Sequence, residues 1–318
     1  MKKKIVSLVL ALMLCLSCVS ALAAEAWTVT CPWAPSGVAA MVNQKAASLS
    51  TTYSQDYVLV ANAEKGDTAT INSWLTKYTE ADPQMCFIGE GMFGITAILD
   101  PERMNFTYDD FEYVENLYSS IFVASARKEL GLTSIDALKA YLEEGNQIMV
   151  GTNGATGSEA FLAAALIGAM GYGDQFYLIP YESAAEAAQA VARGEVDIAV
   201  SHQSQILETW QQGGVDVFAA FDGEPIAQGP FKGVEGVGQY GYPYFRNRCF
   251  IFAKAGADEQ KIADLKALYA QILTDEEMVD WLNNTMLLEA DMMTEEEVIA
   301  HIDNVKNIVE EYYDLVAE

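Results

Sequence analysis

The run Gly151, Thr152, Asn153, Gly154, Ala155, Thr156, Gly157, Ser158 is the stretch whose residue types and spacing best suit ligand chemistry. It follows a short apolar run, Ile148 to Val150, and precedes an Ala/Leu-rich helical pattern from Glu159 to Leu166, so it reads as a turn between a strand and a helix. Glycines let the backbone adopt positive φ and let a ligand approach the main chain with no Cβ in the way. Ser158 or Thr156 is expected to cap the helix, whose first amides lack partners of their own and carry partial positive charge. Such a helix end holds a carboxylate or phosphate. Two other readings compete: a tight turn that binds nothing, and a dinucleotide fingerprint in Gly151-x-x-Gly154-x-x-Gly157 that would make the protein an oxidoreductase. Against the second, the loop lies mid-chain and no acid about 20 residues on clearly closes the next strand.

The elements that must position this loop repeat the same alternation. Trp27 to Cys31 reads as a strand ending in Pro32, Trp33, Ala34, Pro35, Ser36 and Gly37, with Ser36 expected to cap the following helix. Tyr57 to Ala61 is a second strand, and Ile71, Trp74, Leu75 and Tyr78 then fall on one helical face. Met85 to Ile88 is a third strand, followed by Gly89 and Glu90. Three strand-loop-helix units in a row predict a parallel sheet with helical crossovers. Apolar runs between Phe111 and Ala126 carry the chain into a second lobe, where Thr133 is expected to cap a helix closed by Gly145. Strands at Gln175 to Tyr181, Val196 to Val200 and Val215 to Ala220 follow the central loop, the second of them opening into His202. Ser183 and Glu186 have capping-box spacing. After an irregular Gly/Pro-rich connection from Gly223 to Tyr244, Cys249 to Ala253 reads as a strand returning to the first lobe, and two helices close the chain. No internal repeat is visible. The expected fold is α/β and two-lobed, each lobe a mainly parallel sheet flanked by helices, with the ligand cleft between the lobes at the carboxyl ends of the strands. Residues 24–122 and 237–318 are assigned to lobe 1 and residues 123–236 to lobe 2.

Composition sets the address and excludes some partners. A basic start at Lys2, Lys3 and Lys4, an apolar stretch to about Val19 and an Ala-x-Ala end at Ala23 make residues 1–23 a secretory signal peptide, so a periplasmic location is expected. A lipoprotein would need a lipidated Cys18, which lacks an aliphatic residue three places upstream. The net charge of −27, or −30 once the three leader lysines are removed, argues against nucleic acid and anionic membrane surfaces as partners. Cys31, Cys86 and Cys249 remain in the mature chain, in apolar surroundings without zinc-site spacing, and are expected to be buried thiols. A hydrolase is disfavoured by the lack of a Gly-x-Ser-x-Gly elbow and by the presence of only two histidines.

With these residues in hand, the chain resembles the extracytoplasmic solute receptors of the tripartite tricarboxylate transporter family. Pro32 to Gly37 is similar to the loop after that family's first strand, Val60, Ala61 and Asn62 with Gly66 to its second-strand turn, and Gly151 to Ser158 to its second-lobe loop. Ile179, Pro180 and Tyr181, then Gly194, Glu195, Val196 and Asp197, continue the likeness over most of the mature chain. The resemblance implies a type II periplasmic-binding-protein fold that closes on a small organic acid and delivers it to membrane permease subunits. It implies no enzymatic activity and no cofactor, and a monomer is expected. It carries ligand binding to Trp33, Ser36 and Gly37 on one side and to Thr152, Asn153, Gly157, Ser158 and Tyr181 on the other. Gly89, Glu90 and His202 join the candidates because each follows or ends a strand expected at the cleft.

The departures from the family bear on the ligand. Ser36 replaces a glycine, Ala40 stands where an Asp is usual, Phe161 where a His is frequent, and Glu182 where a Lys is common. More acid and fewer donors near the cleft make a carboxylate with an amine, or a neutral ligand, as credible as a tricarboxylate. His301 on the last helix and Asp197 in its strand read as structural, and Asn62 as a turn residue. A receptor that reports to a sensor instead of a permease has the same sequence signature. The leader generates the first prediction: the mature protein begins near Ala24 and carries no lipid, and the intact mass of the exported protein checks it, a lipidated Cys18 being the contrary result.

Overall fold

Residues 24–316 of the chain are described by a computed structural model. The expected signal peptide, with Cys15 and Cys18, lies outside the described residues. Two five-stranded sheets form the two lobes, in the orders β2-β1-β3-β10-β4 and β7-β6-β8-β5-β9. The first contains β1 (Glu25–Cys31), β2 (Tyr57–Ala63), β3 (Gln84–Gly89), β4 (Phe111–Ser120) and β10 (Asn247–Lys254). The second contains β5 (Phe122–Arg127), β6 (Ile148–Asn153), β7 (Phe176–Tyr181), β8 (Ile198–His202) and β9 (Val215–Ala220).

Both sheets are mixed. β1 runs parallel to β2 and β3, whereas β10 lies antiparallel between β3 and β4. β6 likewise runs parallel to β7 and β8, and β5 lies antiparallel between β8 and β9. The two lobes thus share one topology that no sequence repeat announces. In each lobe the reversed strand is the one that enters from the other lobe. Ile121 alone separates β4 from β5, and the second crossing runs from Ala220 to Asn247.

The helices follow from apolar stripes and capping chemistry. In α1 (Val38–Tyr53), Val38, Val42, Ala46 and Leu49 pack against Val29 and Leu59, and the buried Asn43 donates to the Val29 carbonyl at 2.8 Å. α2 (Thr68–Lys77) buries Ile71 and Trp74 on the opposite face of the sheet. α3 (Ile135–Glu143) is capped by Ser134, which accepts from the Ala137 amide, and not by Thr133 as expected. Thr133 comes one residue too early to reach that amide. α4 (Ser158–Ala169) is buried nearly all round, consistent with its lack of polar residues after Glu159. α5 (Ala184–Ala192) has the expected Ser183 cap, but Glu186 bonds the Glu182 amide, so only half of the predicted box forms. α6 (Gln203–Gln211) and α7 (Glu259–Leu273) follow, and α8 (Glu295–Glu311) starts with the full capping box of Thr294 and Glu297.

α8 ties the lobes together. Its Val298 and Ile302 belong to the apolar cluster around Phe93, Phe111 and Phe252 of the first sheet, while Val305 and Val309 belong to the cluster around Phe161 and Phe218 of the second. The π-helical turn Met92–Thr96 packs against the middle of this helix. Cys31, Cys86 and Cys249 are unpaired and buried, as expected. No helix among the described residues is long and apolar enough to cross a membrane.

Close approach at Gly94 makes this junction testable. A Cβ there would lie 2.6 Å from Val305 Cγ1 and 3.0 Å from its Cβ, so the turn and α8 must separate to admit it. Gly94→Ala is expected to destabilise the protein by about 1–3 kcal/mol, the range for an overpacked core, in urea unfolding followed by circular dichroism.

Candidate functional site

A cleft of ≈ 740 Å³ opens between the lobes where the carboxyl ends of β1, β3, β6, β7 and β8 converge. That size suits a small metabolite. Two helices of opposite lobes begin at its wall, α1 at Val38 and α4 at Ser158. Neither has a side-chain cap: Gly37 and Gly157 occupy the N-cap positions with extended backbone. Ser36 is exposed and caps nothing, contrary to expectation, because the N-cap falls on Gly37 one residue later. Ser158 and Thr156 do not cap α4 either. Ser158 is already the first helical residue, and Thr156 Oγ1 accepts from Arg103 Nη1 at 2.9 Å. The amides of Ala155, Thr156 and Gly157 donate to no described residue.

The Ser158 hydroxyl donates across the cleft to Glu90 Oε1 at 3.0 Å. Glu90 follows β3 and is fully buried. It also accepts from Asn247 Nδ2 at 2.9 Å and from the Arg248 amide at 2.8 Å. Burial raises its proton affinity, and these donors oppose the rise. Glu159, in the first turn of α4, is only 5% exposed. Burial first, and then the charge of Glu90, push its carboxyl up to about 7, against its own amide and the Asn153 side chain.

Polar bridges hold the cleft rim. Lys65 of the first lobe pairs with Glu182 of the second at 2.5 Å, and Arg103 links Asp67 at 3.3 Å to Thr156. Asp67 holds φ at 49°, an unfavourable value for a residue with a side chain. Its amide bonds the Pro32 carbonyl at 2.9 Å, which fixes that turn beside the loop after β1.

Most of the sequence candidates meet at this cleft. Trp33, Gly37, Gly89, Glu90, Asn153, Gly157, Ser158, Tyr181 and His202 all line it. The Trp33 ring lies over Gly89, where a Cβ would sit 3.3 Å from its edge. Thr152 is fully buried behind the loop and donates to the Gly154 carbonyl at 2.7 Å. His202 is buried beside Phe122, its Nδ1 2.8 Å from Ser120 Oγ, and burial lowers its proton affinity to about 3, so it is neutral at physiological pH. Asp197 is structural, paired with Arg127 at 2.7 Å and accepting from the Met149 amide.

Asp67, Arg103, Glu159 and Asn247 line the cleft without having been singled out from the sequence. For Glu159 a signal existed: an acid beside the anion-holding loop has either its own partner or a special environment. No such signal marks Arg103, which reaches the cleft from the irregular segment after β3. Among the described residues no cluster of His, Cys, Asp and Glu could hold a metal ion.

No protein-family model matches the sequence, and no curated protein does. Solved structures do share the architecture. The periplasmic binding protein BugD is 16% identical, with 92% of this chain and 98% of that one covered at a TM-score of 0.78. A protein of R. palustris solved with adipate is 15% identical, with 91% and 96% covered and a TM-score of 0.80. MatC from Rhodopseudomonas palustris, solved with bound malate, is 17% identical, with 92% and 98% covered and a TM-score of 0.75. The chain therefore has the two-lobed periplasmic-binding-protein fold that its sequence led us to expect. Contrary to the sequence expectation, an acid does close the next strand: Glu182 directly follows β7, where it pairs with Lys65 at the cleft rim.

The raised proton affinity of Glu159 has a stability consequence of definite sign. A carboxyl raised on folding favours the folded state below its unfolded value, 4.5, and that advantage is lost as pH rises through about 7. Glu159→Gln removes the loss. The variant is expected to match the wild type near pH 4 and to exceed it by up to about 3 kcal/mol at pH 8, one pH unit being 1.36 kcal/mol. Urea unfolding at both pH values checks this, and an equal difference at the two is the contrary outcome.

Proposed function

We propose that this protein is an extracytoplasmic solute receptor. In this reading it captures a small organic acid between its lobes and delivers it to membrane permease subunits of the tripartite tricarboxylate type. The observation that carries the reading is the pair of uncapped helix starts, α1 at Val38 and α4 at Ser158, on opposite walls of one cleft. Helix N-termini with free amides attract carboxylates, and two of them from different lobes give a ligand a reason to draw the lobes together. Gly37 and Gly157 add no side chain of their own in front of the amides, although at the start of α4 the Glu159 carboxyl lies 3.5 Å from where a Gly157 Cβ would sit.

The bridges Lys65 to Glu182 and Arg103 to Thr156 fit a receptor that alternates between open and closed forms. Exposed pairs of this kind contribute little each, so the ligand supplies the decisive energy. Solved proteins of the same fold hold adipate and malate, which supports a carboxylate as the class. Periplasmic export, delivery to a permease, a monomeric state and the lobe division at residues 122/123 and 236/237 belong to the same proposal.

Binding without turnover is the expected behaviour. Screening small carboxylates, amino acids and neutral metabolites by thermal shift should find a ligand that adds about 2.7 kcal/mol at a hundredfold excess over its Kd. Mass spectrometry of denatured protein should release the same ligand if it co-purifies. Steady consumption of the ligand by purified protein would refute the reading.

A further inference from the structure

We infer that the ligand carries a cationic nitrogen as well as a carboxylate, and that Glu159, backed by Glu90, receives the cation. This rests on the receptor reading above and goes further by fixing the charge type of the ligand. The two carboxyls come from opposite lobes, Glu90 from the loop after β3 and Glu159 from the first turn of α4, and both line the cleft. Neither forms an ion pair with any described lysine or arginine. The two cations of the cleft, Lys65 and Arg103, sit at its rim and are engaged by Glu182 and Asp67.

Glu90 and Glu159 differ in how they are held. Three donors fix Glu90: Ser158, Asn247 and the Arg248 amide. Glu159 is nine-tenths buried, and its donors are its own amide and the Asn153 side chain at the end of β6, neither of which carries a charge. An acid in the first turn of a helix ordinarily complements the dipole from solvent. Here it is enclosed by the second wall of a cleft, where an unpaired carboxylate is costly and a cation is strongly favoured.

The surrounding groups sharpen the choice of ligand. Facing Glu159 are Glu90 after β3 and Asp67 at the start of α2, both of which raise its proton affinity, while His202 at the end of β8 stays neutral and Cys249 in β10 stays a thiol. Asp67 is met by Arg103, but no lysine or arginine among the described residues pairs with Glu90 or Glu159. A dicarboxylate entering this space would add like charge to like charge at short range. A zwitterion places its carboxylate at the start of α1 and its ammonium at Glu159 by the start of α4, so both charges are met.

Matched pairs of ligands test this by calorimetric titration of the full mature protein: aspartate with succinate, glutamate with glutarate, β-alanine with propionate and γ-aminobutyrate with butyrate. At least one amine-bearing member is expected to bind 100-fold or more tighter than its partner, with affinity rising between pH 6 and pH 8. Glu159→Gln should reduce that preference at least tenfold while leaving the des-amino partner's affinity equal or improved. A des-amino acid that binds as tightly as its amine counterpart overturns the inference and leaves the receptor reading standing. A preference unchanged in Glu159→Gln also overturns it, because Glu159 is then a buried protonated group with no part in recognition. Failure of every member of both series, with no small molecule released on denaturation, overturns the receptor reading and this inference with it.

Discussion

Each sheet contains one strand that the chain delivers only by crossing from the other lobe, and the rest of the structure depends on that exchange. β10 lies between β3 and β4, so the first sheet is incomplete until the chain has built the second lobe and returned. β5 lies between β8 and β9 and follows β4 with only Ile121 between them. The backbone hydrogen bonds of β10 to β3 and β4 are therefore made only after the chain has passed through the second lobe, whereas those of β5 lie wholly within its own lobe. The same crossings hold the carboxyl ends of the strands in the two sheets toward one another, and that orientation creates the cleft. α8 reinforces the arrangement, with one half of its apolar stripe in each lobe's core.

Within that frame the cleft combines two opposite electrostatic features. Its walls begin two helices with free amides, which favour negative charge, while its interior holds the carboxyls of Glu90 and Glu159, which favour positive charge. The separation is made possible by residue type. Glycine at positions 37 and 157 adds no capping side chain, and Ser158, one residue past the N-cap, turns its hydroxyl to Glu90 instead. A single hydroxyl thus joins the anion-holding loop to the buried acid across the lobes. The cationic side chains stay at the rim, where water screens them and where pairing stabilises contact between the lobes.

Much of this was legible in the residue pattern. Eight of the ten strands fall within a few residues of where the sequence put them, while β4 and β5 occupy the stretch from Phe111 to Ala126 that was read only as apolar runs. The loop after β6 was recognisable as a site because glycines between a strand and a helix have few other uses. Caps were legible only where the motif was complete, as at Thr294 with Glu297. Ser36, Thr133 and Ser158 failed as caps because a shift of one residue moves a hydroxyl out of reach of its amide, and local sequence does not fix the boundary that finely.

By itself, the sequence determined the alternation of elements, the two-lobed α/β class and the chemistry of the loops after β1 and β6, because hydrophobic period and backbone permissiveness are local properties. The tertiary structure alone decided which strands are reversed, which lobe α8 joins to which, and which charges meet. Glu90 and Glu159 are 69 positions apart in sequence, and nothing in either neighbourhood marks them as a pair. Their proton affinities and their lack of a cation arise from burial between two lobes, a property that exists only once the strands have crossed and the cleft has formed.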